Sequence, residues 1–478
     1  MSASFYFHDY ETFGADPLRD RPAQFAGQRT SPDFEPIDDP LLIYCRPSAD
    51  LLPSPEACLI TGITPQLAAR EGLAEPEFFA RIHEQMAVPG SCVLGYNSIR
   101  FDDEFTRHGL WRNFFDPYGR EWHDDCSRWD LIDLARMCYA LRPEGVNWPL
   151  REDGTPSFRL EQLSAANAIA HANAHDALAD VQATIALARL LRTAQPRLFD
   201  FLFSLRDKRR AAALLDWSGK TPVLHASSRI PAERGCLAMV LPIAPHPNNP
   251  NGVIVFDLDA DPSPLAALEA EDIRDRVFVA RADLPEDIGR LPLKVVHKNK
   301  CPALAPLSVL EGVDCQRIRF DLQKCLGHAD AIRAMPALAH KLQTVFANAP
   351  ETGERPAEQA LYAGLPEPSD LALAAKLRRA DPGHLHEFAT RFKDARYREL
   401  LRRYRARHFP DTLSEQEQHA WRDWRRQQLI EAPERPERSI SALLDRTAQL
   451  RAEREPGPGQ AVLDEVESWL RGMLAELA

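Results

Sequence analysis

Cysteine is sparse in this 478-residue chain, which has nine cysteines, an odd number, and no Cys-x-x-Cys pair. This spacing excludes the usual zinc-ribbon ligand pattern and does not fit a disulfide-stapled fold. No cluster of cysteine and histidine competes for a soft metal ion. We therefore expect reduced thiols and a cytoplasmic location.

Long hydrophobic runs are also missing. The most apolar stretches, such as 236–241 and 253–256, are far shorter than the roughly 20 residues that cross a bilayer. No basic segment followed by an apolar segment marks a signal peptide. We therefore expect neither secretion nor membrane insertion.

Lysine is absent from the first 195 residues, where 17 arginines face 29 acidic residues. The balance of this region, −12, equals the net charge of the whole chain at pH 7. A field of that sign repels a polyanion at long range. The planar guanidinium nevertheless suits phosphate contacts better than an ammonium does, so a local arginine lining is compatible with nucleic-acid binding.

The length predicts about three domains of roughly 150 residues each. A first boundary is predicted at 193–196, after which prolines and short β-like runs indicate a small β-barrel. Beyond a second boundary near residue 349 the pattern is mainly helical. The predicted domains are 1–195, 196–349 and 350–478.

Acidic residues recur where predicted strands end and predicted helices begin. Asp9 and Glu11 end an apolar strand, and their spacing puts both carboxylates on one face. Asp102 opens a predicted helix, and Asp180 leads into the helical run 181–191. Two like charges that close need a proton or a cation between them, so the Asp9 and Glu11 pair favours a divalent-metal site.

Each acid also has a purely structural interpretation, which the pattern alone leaves open. A D-x-E triplet occurs by chance on exposed strands. Asp103 and Glu104 suit the first turn of a helix, where acids complement the helix dipole. Asp176 suits a helix N-cap.

Four acids and one histidine together resemble the DEDDh pattern of metal-dependent 3'→5' exonucleases: Asp9, Glu11, Asp102, Asp180 and His175. Longer words resemble one branch of that superfamily, the bacterial exodeoxyribonuclease I family. These words are H-D-Y-E-T-F-G at 8–14, D-R-P-A-Q-F at 20–25, T-G-I-T-P at 61–65, R-F-D-D-E at 100–104, S-R-W-D at 127–130, A-L-R-P-E-G at 140–145, S-F-R-L-E at 157–161, N-K-C-P at 299–302 and Y-R-A-R at 404–407. The likeness runs through most of the chain.

The resemblance implies a fold class and a metal site. The fold is an α/β, RNase H-like exonuclease domain with a mixed sheet, followed by an SH3-like β-barrel domain and an α-helical C-terminal domain. Two Mg²⁺ ions, replaceable by Mn²⁺, would be held by Asp9, Glu11 and Asp180, with Asp102 acting through bound water. His175 would be the general base, because the histidine pKa lies near neutral pH. Two ions about 3.5–4 Å apart supply an activated water and relieve charge on the departing 3' oxygen.

Arginine and aromatic residues interleave between the second and third acidic clusters. Bases stack on aromatic faces without regard to sequence and guanidinium groups follow the backbone, as a non-specific single-strand reader requires. An individual aromatic residue is more often part of the core. Arg136 belongs to this interleaved stretch. The resemblance implies that Glu11, Arg159, Arg107, Tyr118 and Trp122 also bind the substrate, and Phe13, beside the catalytic acids, offers a surface for a terminal base.

The resemblance implies a processive exonuclease that converts single-stranded DNA from its 3' end to 5'-mononucleotides, in DNA repair and recombination. It also implies a monomer that binds the acidic C-terminal tail of the single-stranded DNA-binding protein through a surface including Arg142. One alternative is a DEDDh exoribonuclease, although those chains are usually short. The other is a catalytically silent DNA-binding module, which the five intact catalytic positions disfavour.

Overall fold

The structure is a computed structural model that describes residues 4–170, 176–280, 283–285, 288–347, 355–455 and 457–478. Its strands are β1 (Ser4–Thr12), β2 (Pro22–Thr30), β3 (Leu41–Tyr44), β4 (Ser91–Gly95), β5 (Ser127–Asp130), β6 (Val223–Ala226), β7 (Leu237–Pro245), β8 (Gly252–Asp257), β9 (Leu293–His297) and β10 (Ala303–Ala305). Its α-helices are α1 (Pro55–Thr61), α2 (Pro65–Glu71), α3 (Glu75–Met86), α4 (Asp102–Arg112), α5 (Ile132–Leu141), α6 (Leu160–Ala166), α7 (Ala177–Ala194), α8 (Pro196–Ser204), α9 (Lys208–Leu214), α10 (Ser263–Ala267), α11 (Ala270–Phe278), α12 (Leu322–Arg333), α13 (Leu338–Phe346), α14 (Pro368–Leu377), α15 (Ala395–His408), α16 (Glu415–Arg426), α17 (Ile440–Ala452) and α18 (Pro458–Leu477).

The chain forms two compact units, each assembled from segments that are distant in sequence. The first unit comprises Met1–Ser127, Ala172–Gln182 and Glu354–Ala478, and the second comprises Arg128–His171 and Ala183–Gly353. The division into three domains that was drawn from the sequence stays a prediction.

A mixed sheet of order β3-β2-β1-β4-β5 confirms the predicted sheet type. Its strand β1 pairs antiparallel with β2 and parallel with β4. Tyr6 and Tyr10 from one face of β1 pack into a core with Phe25 and Phe78. Because side chains alternate along a strand, Asp9 and Glu11 lie on the opposite face.

The connection from β4 to α4 brings a second acidic segment to the same end of the sheet. Gly95 ends β4 where a Cβ atom would lie 2.8 Å from the His8 carbonyl oxygen, so glycine permits this close approach. Asn97 then takes a left-handed conformation with φ 65°, and α4 begins at Asp102. Carboxyl ends of parallel strands share an edge, so the start of α4 lies beside the end of β1.

Helices from the C-terminal part of the chain complete the core of the first unit. The aromatic side chains of Trp111 and Phe114 pack with Tyr397 and Tyr404 of α15. These contacts give the first unit a core made from residues separated by more than half of the chain.

A buried ion network accompanies this packing. The Arg407 guanidinium pairs with the carboxylates of Asp50 and Glu358, donating from Nε to both oxygens of Asp50 at 3.0 Å. Arg21 also donates to Glu358, at 3.2 Å. Burial by itself would raise the pKa of Asp50, but the Arg407 guanidinium overrides it and lowers that pKa to about 2.

The second unit contains an antiparallel sheet of order β10-β6-β7-β8-β9. The sequence predicted a small β-barrel here. Among the strands that the structure describes, β9 and β10 are the two edges and do not pair with each other, so the sheet is open. A bulge between Pro242 and Ala244 interrupts the pairing of β7 with β8, since proline offers no N–H to the ladder.

Two further expectations concern thiols and membranes. None of the nine cysteines forms a disulfide bond. Within the described part of the chain, no helix has the length and apolar character that crossing a membrane requires.

We expect Arg407→Met to lower the free energy of unfolding by about 3–5 kcal/mol, since it leaves buried carboxylates without their cation. Denaturant unfolding at pH 7 measures this loss. Arg402→Met is the matched control, because that side chain is 64% exposed and its ion pair contributes about 1 kcal/mol or less.

The difference in free energy of unfolding between the wild type and Arg407→Met depends on pH. The folded-state pKa of Asp50 lies below its unfolded value, so its stabilisation is present above about pH 4 and is lost as the pH falls towards 2. The difference between the wild type and Arg407→Met should therefore shrink over that range. An equal difference at pH 3 and pH 7 would contradict the assignment.

Candidate metal centre

Three carboxylates converge at the end of β1. Asp9, Glu11 and Asp180 each offer an oxygen atom, and these oxygens lie within 4.8 Å of one another. Asp9 and Glu11 come from one face of β1, and Asp180 lies in the first turn of α7. Glu11 is buried, whereas Asp9 and Asp180 are half-buried. The structure thus brings together the three residues that the sequence proposed as metal ligands.

The fourth acid, Asp102, is held against β1 by the backbone. Its Oδ1 accepts a hydrogen bond of 3.1 Å from the Tyr10 N–H, and its side chain is buried at the start of α4. The Thr106 hydroxyl donates to the Asp102 carbonyl at 2.9 Å and lies 3.0 Å from the Tyr10 hydroxyl. Tyr10 lies between Asp9 and Glu11 in β1. Its side chain faces the opposite side of the sheet, while its backbone N–H positions Asp102 close to the two acids.

The electrostatics of this cluster favour a bound cation. Burial, followed by the charges of Asp102, Asp180 and Glu11, raises the pKa of Asp9 well above its ordinary value. Burial, with Asp180 and Asp102 as the next causes, raises the pKa of Glu11 to about 8. Either protons or a cation must compensate so many acids in one place.

The donor set fits a hard divalent ion. All of the converging atoms are carboxylate oxygens, which Mg²⁺ prefers, and they come from one strand and from the first turn of one helix. No sulfur or imidazole atom belongs to the group within the residues that the structure covers.

Interactions at the start of α7 place Asp180. The Asp176 carboxylate accepts hydrogen bonds from the N–H groups of Leu178 and Ala179, at 3.0 and 3.2 Å, as expected for an N-cap. The Gln24 side-chain oxygen accepts from the Ala177 N–H at 3.4 Å, and Gln24 lies opposite Glu11 in the β1–β2 register. His175, predicted as the general base, lies outside the described residues.

The predicted DNA contacts of the first unit differ in exposure. Arg107 is buried and forms two hydrogen bonds with Glu121, at 2.7 and 2.8 Å, with its guanidinium 5.5 Å from the ring centre of Tyr118. Trp122 is 63% exposed, and its ring stacks on His123 with 3.6 Å between ring centres. Trp122 thus offers an open aromatic surface, whereas Arg107 is engaged inside the protein.

Phe13 lies in a hydrophobic core rather than on an open surface. Only 1% of its surface is exposed, and it packs with Leu51, Ile63 and Leu470 among others. Its role as a stacking surface stays a prediction, and this burial favours the packing interpretation.

The remaining predicted contacts belong to the second unit. Arg159 is exposed at the start of α6. Arg136 is buried, pairs with Asp133 and lies 5.8 Å from the ring centre of Phe158. Arg142, proposed for partner binding, is half-buried and donates to the carbonyl oxygens of Val309 and Glu311, at 3.0 and 3.3 Å.

One pair near the site went unrecognised in the sequence. Asp103, interpreted as a helix-dipole acid, accepts a hydrogen bond of 2.7 Å from Arg120, and both side chains are buried. No motif marks Arg120, since it lies in an irregular segment 17 residues further along the chain. The one signal for this pair in the sequence was that Asp103 directly follows Asp102, a proposed site residue.

Three family models match successive parts of the chain. The model described as "Exonuclease" matches residues 6–188, the "Exonuclease I SH3-like domain" matches 206–348 and the "Exonuclease I C-terminal domain" matches 355–473.

Individual relatives agree over nearly the full length. Exodeoxyribonuclease I of Escherichia coli (strain K12) is 48% identical over 89% of this chain and 90% of the relative. A moderately thermophilic exonuclease I from Methylocaldum szegediense has a solved structure that is 48% identical, with a TM-score of 0.94 and coverage of 99% of this chain and 100% of that one. The structure of E. coli exonuclease I in complex with a dA16 oligonucleotide is 45% identical, with a TM-score of 0.93 and coverage of 98% and 100%.

We expect Mn²⁺ to raise the thermal unfolding midpoint more at pH 8 than at pH 6. The folded-state pKa values of Asp9 and Glu11 are raised, so without metal the stability falls as the pH rises from about 4 towards 8. A cation must displace those protons at low pH and meets none at high pH. Thermal unfolding with and without Mn²⁺ across this range measures the effect.

Asp180→Asn provides the control for that measurement. Removing one charge relieves repulsion, so the metal-free variant should unfold at a higher temperature than the metal-free wild type at pH 8, and Mn²⁺ should shift it little. A Mn²⁺ shift of the same size at every pH would contradict the role of the carboxylates.

Proposed function

The chain belongs to the exodeoxyribonuclease I family, and we propose on this basis that it hydrolyses single-stranded DNA processively from the 3' end, releasing 5'-mononucleotides. Matches to all three family models and to relatives along nearly the whole chain support the substrate class. The observation that carries the chemistry is the convergence of the Asp9, Glu11 and Asp180 oxygens within 4.8 Å. We assign the activity to DNA repair and recombination.

The resident ions are proposed to be two Mg²⁺, with Mn²⁺ as a substitute. Asp9, Glu11 and Asp180 would hold them directly, and Asp102 would act through bound water. When bound, such ions supply a nucleophilic water and relieve negative charge on the departing 3' oxygen. The all-oxygen donor set and the raised pKa values of Asp9 and Glu11 support this proposal.

The protein's own residues then orient the strand and move one proton. His175 would accept the proton of the attacking water, because a neutral imidazole is available near neutral pH. Glu11 would also lie against the terminal nucleotide. Trp122 would stack on a base through its exposed ring, and Arg159 would contact phosphate through its exposed side chain.

Buried candidates would act less directly on DNA. Arg107 would hold the segment that carries Tyr118 and Trp122 through its pairing with Glu121. Arg136, paired with Asp133, would stabilise the neighbouring part of the surface that binds DNA.

Further proposals concern assembly and location. We propose a monomeric, cytoplasmic enzyme that binds the acidic C-terminal tail of the single-stranded DNA-binding protein. Arg142 would belong to that surface, because a guanidinium already directed at carbonyl oxygens also suits a carboxylate.

A gel time course with a 5'-labelled oligonucleotide and Mg²⁺ tests the reaction. Stepwise shortening should occur for single-stranded DNA and be weak or absent for a 3'-blocked copy, a duplex and an RNA copy. Asp180→Ala should lower the rate by on the order of 10³-fold or more, because charge stabilisation worth several kcal/mol is lost. His175→Ala should cost about 10²–10⁴-fold, the usual contribution of a general base.

Asp200→Ala and His386→Ala are the matched controls, since both side chains are exposed and neither has a proposed role in the reaction. Equal digestion of RNA would favour the exoribonuclease alternative. DNA binding without cleavage by the wild type would favour the silent module.

Arg142→Ala should weaken binding of a fluorescent peptide with the acidic tail sequence by about tenfold or more, since a charge-assisted hydrogen bond contributes about 1.5–3 kcal/mol. Fluorescence anisotropy measures the affinity, and the exposed Arg197→Ala is the control. Unchanged binding by Arg142→Ala would remove this residue from the partner surface.

A further inference from the structure

We propose that Arg120 is a positioning residue for the carboxylate cluster: through its ion pair with Asp103 it fixes the first turn of α4 and thereby the direction of Asp102. This inference rests on the proposed metal-dependent nuclease function. It concerns a residue that contacts neither the substrate nor a metal ion.

The Arg120 guanidinium is fully enclosed by protein. Its side chain is 0% exposed and that of Asp103 is 2% exposed, and Nη2 of Arg120 donates to Oδ1 of Asp103 at 2.7 Å. The other guanidinium nitrogens, Nε and Nη1, are buried and have no hydrogen-bond partner among the described residues. Nη2 also lies 4.0 Å from Oε1 of Glu121, so the contact with Asp103 is the closer of its two ion pairs. A buried cation with so few partners is costly, and moving Asp103 away would leave it largely uncompensated.

A second ion pair holds the same helix from the same segment. Residues Gly119–Glu121 form one 3-10 turn, and Glu121, directly after Arg120, accepts two hydrogen bonds from Arg107. Asp103 and Arg107 are four residues apart, which places them on one face of α4. Arg120 therefore pairs with Asp103, and Glu121 pairs with Arg107. These two ion pairs fix both the position and the rotation of α4.

The ion pair of Arg120 holds Asp103, the residue directly after Asp102. Asp102 and Asp103 are the first two residues of α4, and Oδ1 of Asp102 accepts from the Tyr10 N–H at 3.1 Å. Tyr10 stands between Asp9 and Glu11 on β1, so the distance from Asp102 to the other acids depends on where α4 begins. When a substitution far from the reacting atoms misplaces a catalytic group by about 1 Å, the rate falls on the order of 10²-fold.

The test compares Arg120→Gln and Arg120→Lys with a control in the full-length protein. Arg425→Gln is the matched control, since Arg425 is also a buried arginine, 4% exposed, and donates to Glu476 at 2.6 Å between α16 and α18. Mn²⁺ binding without DNA is measured by isothermal titration calorimetry, and kcat and KM are measured on single-stranded DNA.

We expect Arg120→Gln to weaken Mn²⁺ binding by about 10–100-fold, the usual effect of losing a residue that lies outside the direct metal ligands and supports their arrangement. The kcat should fall more than KM rises, because the pairing of Arg107 with Glu121 still holds the segment that carries Trp122. Arg120→Lys should recover part of the affinity. Arg425→Gln should lower the unfolding temperature and leave Mn²⁺ binding unchanged.

A double variant, Asp103→Leu with Arg120→Met, keeps the proposal testable if Arg120→Gln does not fold. It removes both charges and leaves neither unpaired, so the fold should be retained. Persistent loss of Mn²⁺ affinity in the double variant supports positioning through the ion pair. If the double variant, or a folded Arg120→Gln, binds Mn²⁺ as tightly as the wild type does, the inference about Arg120 is overturned and the proposed function is not. If the wild type neither binds Mn²⁺ nor cleaves DNA, the proposed function is overturned as well.

Discussion

Repulsion among four acidic side chains is the constraint on which the first unit depends. Asp9 and Glu11 are forced to one face by the alternation of β1, and Asp102 and Asp180 approach them from the first turns of two helices. Burial and mutual repulsion raise the pKa values of Asp9 and Glu11. The backbone therefore maintains an arrangement that the side chains alone would avoid, and a cation would relieve it where chemistry is expected.

Arginine pairs supply the rigidity that such an arrangement requires. Arg407 joins Asp50 to Glu358, and Arg120 joins the start of α4 to a neighbouring turn. These acids are neutralised inside the protein, so they contribute little to the field that DNA meets. Each pair also removes a positive charge, so the pairs leave the net charge of −12 unchanged, and the potential that DNA meets depends on the exposed residues. The guanidinium fork suits these buried pairs, which accords with the absence of lysine from the first 195 residues.

Exposure was the property of the candidate substrate contacts that the sequence described least well. Trp122 and Phe13 are both aromatic residues close to acidic motifs, yet Trp122 is 63% exposed and Phe13 is 1% exposed. The difference arises because Phe13 meets helices from the C-terminal part of the chain, which no local pattern reveals. The predicted closed barrel was wrong for a related reason, since β-like runs predict strands but not whether the two edge strands pair with each other.

The sequence by itself determined the four acids of the cluster, the mixed sheet and the family, because strand alternation, helix starts and long sequence words are local properties of the chain. Only the tertiary structure decided which arginines hold those acids in place. Arg120 lies 17 residues from Asp103, and Arg407 lies 357 residues from Asp50. Ion pairs of this kind depend on how distant segments pack, and a periodic pattern reports which face a residue occupies but not which residue it meets there.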